Sequence, residues 1–423
     1  MSRPRAFFVI TGSELVRGER TDRNGPYLAA QTLSLGFEPS RIVIVGDREE
    51  ELGPALAEGL EADLLVTSGG LGPTHDDRTA ELVGRAAGRE LVLDEALHDE
   101  IGEISRTIAQ RLRRPYADFE PGVAKQATMP AGAISLGLAG TAPGFVLETG
   151  RAVTVVLPGP PGELQRLWPR ALETEPVRAL LELARPPGRR VLRFFGASES
   201  AVARALAEAG GERDGVEATI CARDFEIHVD LVVEDGAEEA ADELAASLRA
   251  PLERYLFSED ERRVEEIVLE LCRARGLSLA TAESCTGGLV AGRLTSVPGS
   301  SDAFVGGVVA YADRVKEAEL GVSAAVLAAH GAVSAETAAA MAEGAQARLG
   351  ADVAVSVTGI AGPGGGTEEK PVGLVYFHAA GPDGERSAEF NLPSDRETIR
   401  RRSAVTALHL VRRLLTQSRH DSE

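Results

Sequence analysis

Three cysteines in 423 residues, Cys221, Cys272 and Cys285, leave an odd number and no CxxC pair. A disulfide framework and a structural zinc site are both disfavoured. The seven histidines are scattered without HxH or HExxH spacing, so no metalloprotease-type centre is expected. Positive charge is scarce: 45 Lys and Arg against 65 Asp and Glu give a net charge of −20. A nucleic-acid-binding surface needs a basic face, so direct nucleic-acid contact is not expected. No apolar run approaches the length of a membrane span. The start, Met1-Ser-Arg-Pro-Arg-Ala-Phe-Phe-Val-Ile10, continues straight into a strand rather than into a cleavage site. A reducing, cytoplasmic setting fits these absences. GxGxxG and Walker loops are also missing, as is a Nudix-type REx₂EE helix.

What is present is ordinary in bulk. Apolar content of 43% and charged content of 26% fit a soluble globular protein. The length is too great for one core, so two or three domains are expected.

The first part reads as α/β. Ala6–Ile10, Arg41–Val45 and Asp63–Thr67 are short, apolar, β-branched runs, with helical patterns at about 24–36 and 49–60 between them. This alternation predicts a parallel sheet covered on both faces, with ligands bound beyond the carboxyl ends of its strands. The unusual residues fall at those ends: Thr11-Gly-Ser-Glu-Leu15, Arg20–Gly25, Gly46-Asp47, and Ser68-Gly-Gly-Leu-Gly-Pro-Thr-His-Asp-Asp-Arg-Thr79. Backbone N–H groups of the glycine cluster can cradle a phosphate. Asp76 and Asp77, with Asp47, can hold a hard cation or a ribose. The competing reading is a glycine-rich turn with an Asp helix cap. Lys125 is the expected phosphate contact.

Several strings in this half, TGSELVRGERTDRN, SGGLGPTHDDRT, KQATMP, GTAPG and LPGPPGE, resemble the N-terminal half of the competence/damage-inducible CinA family. That domain is similar to the three-layer molybdopterin-binding fold of MoaB and MogA. The resemblance implies metal-dependent ADP-ribose pyrophosphatase activity. It implies Glu14, Asp22, Asn24, Asp47, Gly69, Gly70, Gly72, Asp76, Asp77, Thr79 and Lys125 as site residues. The family carries asparagines before its KQ and GTAPG strings, where this chain has Gly122-Val-Ala and Leu136-Gly-Leu-Ala. A divalent ion would neutralise the diphosphate and activate water. A purely molybdopterin- or nucleotide-binding role is the alternative for this domain.

Ala184-Arg-Pro-Pro-Gly-Arg-Arg190 has the composition of a linker. Strands at Arg190–Phe195, Ala218–Ala222 and Glu226–Val233 and helices at Ser198–Ala209 and Glu238–Leu248 predict a small α+β connecting module. Cys221 and His228 read as packing residues. The expected domains are 1–183, 190–257 and 262–418.

The last part is α/β again. Glu261–Arg275 is amphipathic and leads to Leu277–Ala280, a buried strand. Thr281-Ala-Glu-Ser-Cys-Thr-Gly-Gly288 follows, then Leu289–Thr295 at helical spacing. Ser284 thus stands at a strand-to-helix turn near unpaired N–H groups. Gly287 and Gly288 allow close approach of a substrate, although a helix cap in a tight turn is the plainer reading. A serine needs a base and an oxyanion site. No Ser-His-Asp set is evident, but Lys316 can act as base if burial keeps it neutral. Tyr311 would relay or orient the proton, and Thr358 with the backbone of the loop 359–366 would donate to an oxyanion or a phosphate. Cys285 is the rival nucleophile. Arg396 and Arg400 are candidates for phosphate, or members of a solvated helix face. The tail Ser418–Glu423 is expected to fray.

LATAESCTGGLVAGRLT, PGSS, GGVVAYADRVK, HGAVSAET and VSVTGIAGPGGGTEEKPVG are similar to the nicotinamide-nucleotide amidase (PncC) family. The resemblance implies hydrolysis of the nicotinamide mononucleotide carboxamide, without a cofactor, to the nicotinate nucleotide and ammonia. Ser284 would be the nucleophile, Lys316 and Tyr311 its activators, and Thr358 part of the polar site, with Glu283, Gly287, Gly288, Gly359 and Gly362 around the substrate. The family tyrosine is followed by Ser-Asn or Thr-Asn; here Ala312-Asp313 follows. Homodimers are usual in the family. A non-enzymatic competence or damage-response interaction protein is the remaining alternative.

Overall fold

The computed structural model describes residues 3–416; the tail Ser418–Glu423 lies outside them. The chain forms two compact units, Met1–Pro187 and Gly188–Glu423. The first boundary falls in the Pro/Gly-rich stretch expected to be a linker. The second expected boundary, near 257–262, does not separate compact units.

The first unit contains β1 (Arg5–Thr11), β2 (Glu38–Val45), β3 (Leu64–Ser68), β4 (Leu91–Leu93), β5 (Thr128–Pro130), β6 (Ile134–Leu138), β7 (Pro143–Thr149) and β8 (Ala152–Leu157). Six of these make one sheet in the order β2-β1-β3-β8-β7-β6. The first four strands are parallel, as the buried β-branched runs imply. The expectation of an all-parallel sheet is corrected at one side, where β7 and β6 run antiparallel to their neighbours. The turn Thr149-Gly150-Arg151 connects β7 to β8 too briefly for a crossover helix, which forces the antiparallel pairing. One face buries Phe8, Ile10, Val155 and Trp168; the other buries Phe7, Val9, Leu56 and Phe145. The result is three layers, with helices on both sides of the sheet.

In the second unit, β9 (Gly188–Phe195), β10 (Val216–Arg223), β11 (Glu226–Val233) and β12 (Leu256–Ser258) form an antiparallel sheet in the order β10-β11-β9-β12. The helices Glu199–Glu208 and Glu238–Leu252 close its core over Phe194, Val229 and Leu248. Cys221, expected to pack, is exposed on the outer strand.

The same unit continues with β13 (Leu279–Glu283), β14 (Phe304–Val309), β15 (Val353–Gly359), β16 (Leu374–Gly381) and β17 (Gly384–Asn391), in the order β14-β13-β15-β16-β17. β13 is parallel to both neighbours. β16 and β17 are antiparallel. The helix Arg396–Thr416 lies against the sheet, with Ile399, Val405, Leu408 and Val411 fully buried. The small module is seated on this domain rather than strung beside it. His409 of the last helix stacks on Phe195 of β9 at 3.8 Å and donates a 2.7 Å hydrogen bond from its Nε2 to Glu226 of β11. His228 holds the other carboxylate oxygen at 2.9 Å. Burial alone would raise the Glu226 pKa, but the two imidazoles outweigh it and hold the carboxyl down to about 2.

Candidate functional site

At the carboxyl end of β13 the chain must turn from a buried strand into the helix Leu289–Thr295. Gly287 (φ +60°) and Gly288 (φ +97°) make that turn in the left-handed region, which side chains other than glycine resist. Glu283 then fixes it. Its carboxylate is 1% exposed and accepts three backbone N–H groups: Gly288 at 2.9 Å, Val290 at 3.1 Å and Ala291 at 2.8 Å. These are N–H groups that the first turn of a helix cannot satisfy by itself. Glu283, expected beside substrate, is therefore spent on the backbone, a correction with a clear physical reason.

Ser284 projects from this turn, and Lys316 reaches it from the helix Asp313–Leu320 that follows β14. The Lys316 Nζ lies 3.3 Å from the Ser284 Oγ, 3.0 Å from the Ala310 carbonyl and 3.3 Å from the Tyr311 carbonyl. Ser284 is 8% exposed and Lys316 1%. Burial holds the Lys316 pKa below the ordinary lysine range, against the opposing pull of Asp313. Burial has the reverse effect on the neighbouring thiol and pushes Cys285 up to about 12. That thiol stays protonated at neutral pH, and a thiol is a poor nucleophile in that form. The structure thus brings the serine and the lysine together and disarms the cysteine.

The other expected residues sort differently. Tyr311 contributes its carbonyl to Lys316, whereas its hydroxyl accepts from Arg396 at 2.9 Å and its ring is largely exposed. The expected hydroxyl relay is corrected to a backbone role. Thr358 is buried at the end of β15 and donates to the Ala332 carbonyl at 2.6 Å, so its hydroxyl is committed. Gly359 ends β15, and the Gly362 carbonyl accepts from Arg396 at 2.6 Å. Arg400 donates to the Cys285 and Thr286 carbonyls at 3.2 and 2.9 Å, which braces the turn. Arg396 is the exposed guanidinium at the rim. Sequence reasoning missed Asp313, whose carboxylate lies 3.7 Å from the Lys316 amine. The signal was its place three residues before the lysine on one helix face.

In the first unit a cleft of about 790 Å³ opens at the carboxyl ends of β1 and β3. Glu14, Asp22, Asn24, Asp47, Gly69, Gly70, Gly72, Asp76 and Asp77 all line it, as the strand-end rule predicts. Gly69 is required there: a Cβ would sit 2.4 Å from the Thr11 carbonyl oxygen, at φ +109°. Thr79 is fully buried beneath Gly70, its hydroxyl without a partner among the described residues. Lys125 lies in an adjoining chamber of about 190 Å³, where its amine donates to the Thr74 carbonyl. Asn24 donates to Ser68 and the Gly159 carbonyl, tying two strand ends together. Glu163 was not singled out among the site residues, although its string was. It lines the cleft, and burial raises its pKa.

The carboxylates do not assemble the expected cage for a divalent ion. Asp47 accepts from Thr11 Oγ1 at 2.8 Å and from the Ser13 N–H and hydroxyl at 2.9 and 2.8 Å, which pins β1 to β2. Asp76 and Asp77 both accept from the Thr74 hydroxyl. Among the described residues no group of three or more His, Cys, Asp or Glu side chains is placed to hold a metal ion. Asp47, Asp76 and Asp77 therefore do not fit a shared ion.

These folds and sites define a chain that joins an α/β domain with an open strand-end cleft to a second α/β domain with a buried serine–lysine pair. Family profiles agree along its length. A "Probable molybdopterin binding domain" matches residues 7–176, a "Damage-inducible protein CinA KH domain" residues 189–258, and a "CinA C-terminal domain" residues 261–415. A CinA-like protein of Mycolicibacterium paratuberculosis is 44% identical over 98% of this chain and 99% of its own. One from Mycobacterium tuberculosis is 45% identical over 97% of each. The chain belongs to the CinA family. A competence/damage-inducible protein of known structure from Agrobacterium tumefaciens is 42% identical, covering 38% of this chain and all of its own, with a TM-score of 0.36.

Proposed function

We propose that the C-terminal domain hydrolyses the carboxamide of nicotinamide mononucleotide, giving the nicotinate nucleotide and ammonia. The observation that carries this reading is the 3.3 Å approach of a buried amine to a serine hydroxyl at a sheet's strand end. A neutral amine has two N–H bonds and one lone pair. The Ala310 and Tyr311 carbonyls take the N–H bonds, which leaves the lone pair for the Ser284 hydroxyl. Ser284 Oγ attacks the amide carbon as its proton passes to Lys316. The resulting ammonium returns that proton to the departing nitrogen, and ammonia leaves an ester on Ser284. Water, deprotonated by the same amine, then releases the acid. Backbone N–H groups of the Ser284 turn are the proposed donors to the oxyanion. Arg396 is the proposed contact for the substrate phosphate.

For the N-terminal cleft the proposed reaction is hydrolysis of ADP-ribose to AMP and ribose phosphate. The glycine backbone at 69–72 would receive the diphosphate. Glu163, with its raised pKa, is a candidate proton carrier there. Both sites would then act on pyridine-nucleotide fragments.

The test offers the purified protein nicotinamide mononucleotide without metal, and ADP-ribose with and without divalent ions. Ser284→Ala should abolish ammonia release, while Cys285→Ala retains most of it; the opposite pattern reassigns the nucleophile. Absence of AMP release with every divalent ion would end the pyrophosphatase reading.

A further inference from the structure

We propose that the Asp313 carboxylate sets the pH range of the amidase site by holding a proton on Lys316. This rests on the reading of Lys316 as the base. Asp313 opens the helix Asp313–Leu320, and Lys316 follows on the same face. The two side chains live in opposite environments: Lys316 is 1% exposed and Asp313 60%. Their separation of 3.7 Å is too long for a strong hydrogen bond, so Asp313 acts on the amine through its charge more than through its geometry. The amine is already positioned by the Ala310 and Tyr311 carbonyls.

The groups that face the amine from the other elements are few. The turn after β13 presents the Ser284 hydroxyl and the Cys285 thiol, which burial keeps protonated. The end of β14 presents Tyr311, whose hydroxyl is held by Arg396 of the last helix. The buried Glu283 carboxylate is spent on three N–H groups. Among the described residues Asp313 carries the only carboxylate within 4.0 Å of the amine. Burial drives the proton off Lys316; Asp313 draws it back. A base must be unprotonated to act, so Asp313 restrains turnover on the acid side of the profile.

An acidic residue in the first turn of a helix also stabilises that helix. That role alone predicts a change in melting temperature and none in the pH profile, so the two readings separate. Asp313→Asn keeps the shape and removes the charge. The kcat/KM for ammonia release from nicotinamide mononucleotide is measured across pH. The acid limb should move to lower pH. On that limb the rate should rise by about five- to tenfold, the effect of one charge at this separation in a largely aqueous dielectric. The alkaline plateau should hold, and added salt should shrink the difference. An unchanged limb overturns the proposal. A uniform loss at every pH also overturns it, since that would make Asp313 an orienting group.

The ε-carbon NMR resonance of Lys316 provides a readout without substrate. Its titration midpoint should fall in Asp313→Asn whatever amide the enzyme takes, and an unmoved midpoint sinks the proposal. Absence of ammonia release from the wild-type protein would instead sink the amidase reading while leaving this titration intact.

Discussion

Replacing Glu283 by Gln removes one carboxylate oxygen from a buried position where three N–H groups converge. The amide keeps one acceptor and turns an NH₂ donor toward the remaining backbone donors. At least one N–H is left without a partner, which costs roughly 1–3 kcal/mol in a buried setting. Loss of the negative charge at the helix start adds roughly 0.3–1 kcal/mol. The sum is about 1–4 kcal/mol. At roughly 2–4 °C per kcal/mol for a domain of this size, the melting temperature of the Gly188–Glu423 unit should fall by roughly 3–15 °C. Because Ser284 directly follows Glu283, the same change should lower kcat for ammonia release while KM stays near its wild-type value. Thermal unfolding by circular dichroism and steady-state kinetics on one preparation test both parts. An unchanged melting temperature would refute the energetic argument. A fall in melting temperature with kcat intact would refute the claim that Glu283 positions the nucleophile.

Lys316→Met should abolish ammonia release at all pH values while sparing the fold, since Met fills the same buried channel; loss of the folded state by circular dichroism would void that comparison, and an active variant would contradict the role of the amine. Acidification should weaken the second unit. Burial pushes His409 from 6.5 down to about 4, so the unfolded chain takes up that proton first and stability falls as pH drops through that window. Glu226, ordinarily 4.5 and held down to about 2, extends the loss at lower pH. Equal denaturant midpoints at the two ends of the His409 window would count against this. In the N-terminal cleft, Glu163→Gln should lower the rate of AMP release from ADP-ribose by about 10²-fold or more, the usual worth of a proton carrier, with the melting temperature little changed.

Much of the fold was legible because buried strands and amphipathic helices write their periods into the chain. Glu226–Val233 and Leu289–Thr295 fall where periodicity places them. The β6–β7 and β16–β17 pairings were not legible: they depend on partners and on short connections, which a run of apolar residues does not encode. In the serine–lysine site, Ser284 and Lys316 could be paired from residue chemistry and the family resemblance. What Glu283, Tyr311 and Thr358 do could not, since each is decided by which backbone group lies within 3.5 Å in the folded chain. Likewise, three aspartates that look like ion ligands in sequence turn out to be engaged by Thr and Ser side chains. Sequence reports which polar residues gather at strand ends, but not which of them remain free.

The imidazole of His409 and the carboxylate of Glu226 lose water together, each sheltered by the other's element. The small module is therefore no tether to be lengthened or cut at will. Severing the chain after Ser258 would strip Phe195 of its stacked ring and leave Glu226 with one of its two imidazole partners. Excising the last domain for biochemistry would expose a greasy, half-charged scar. A calorimeter should register two endotherms from a chain that three family profiles divide.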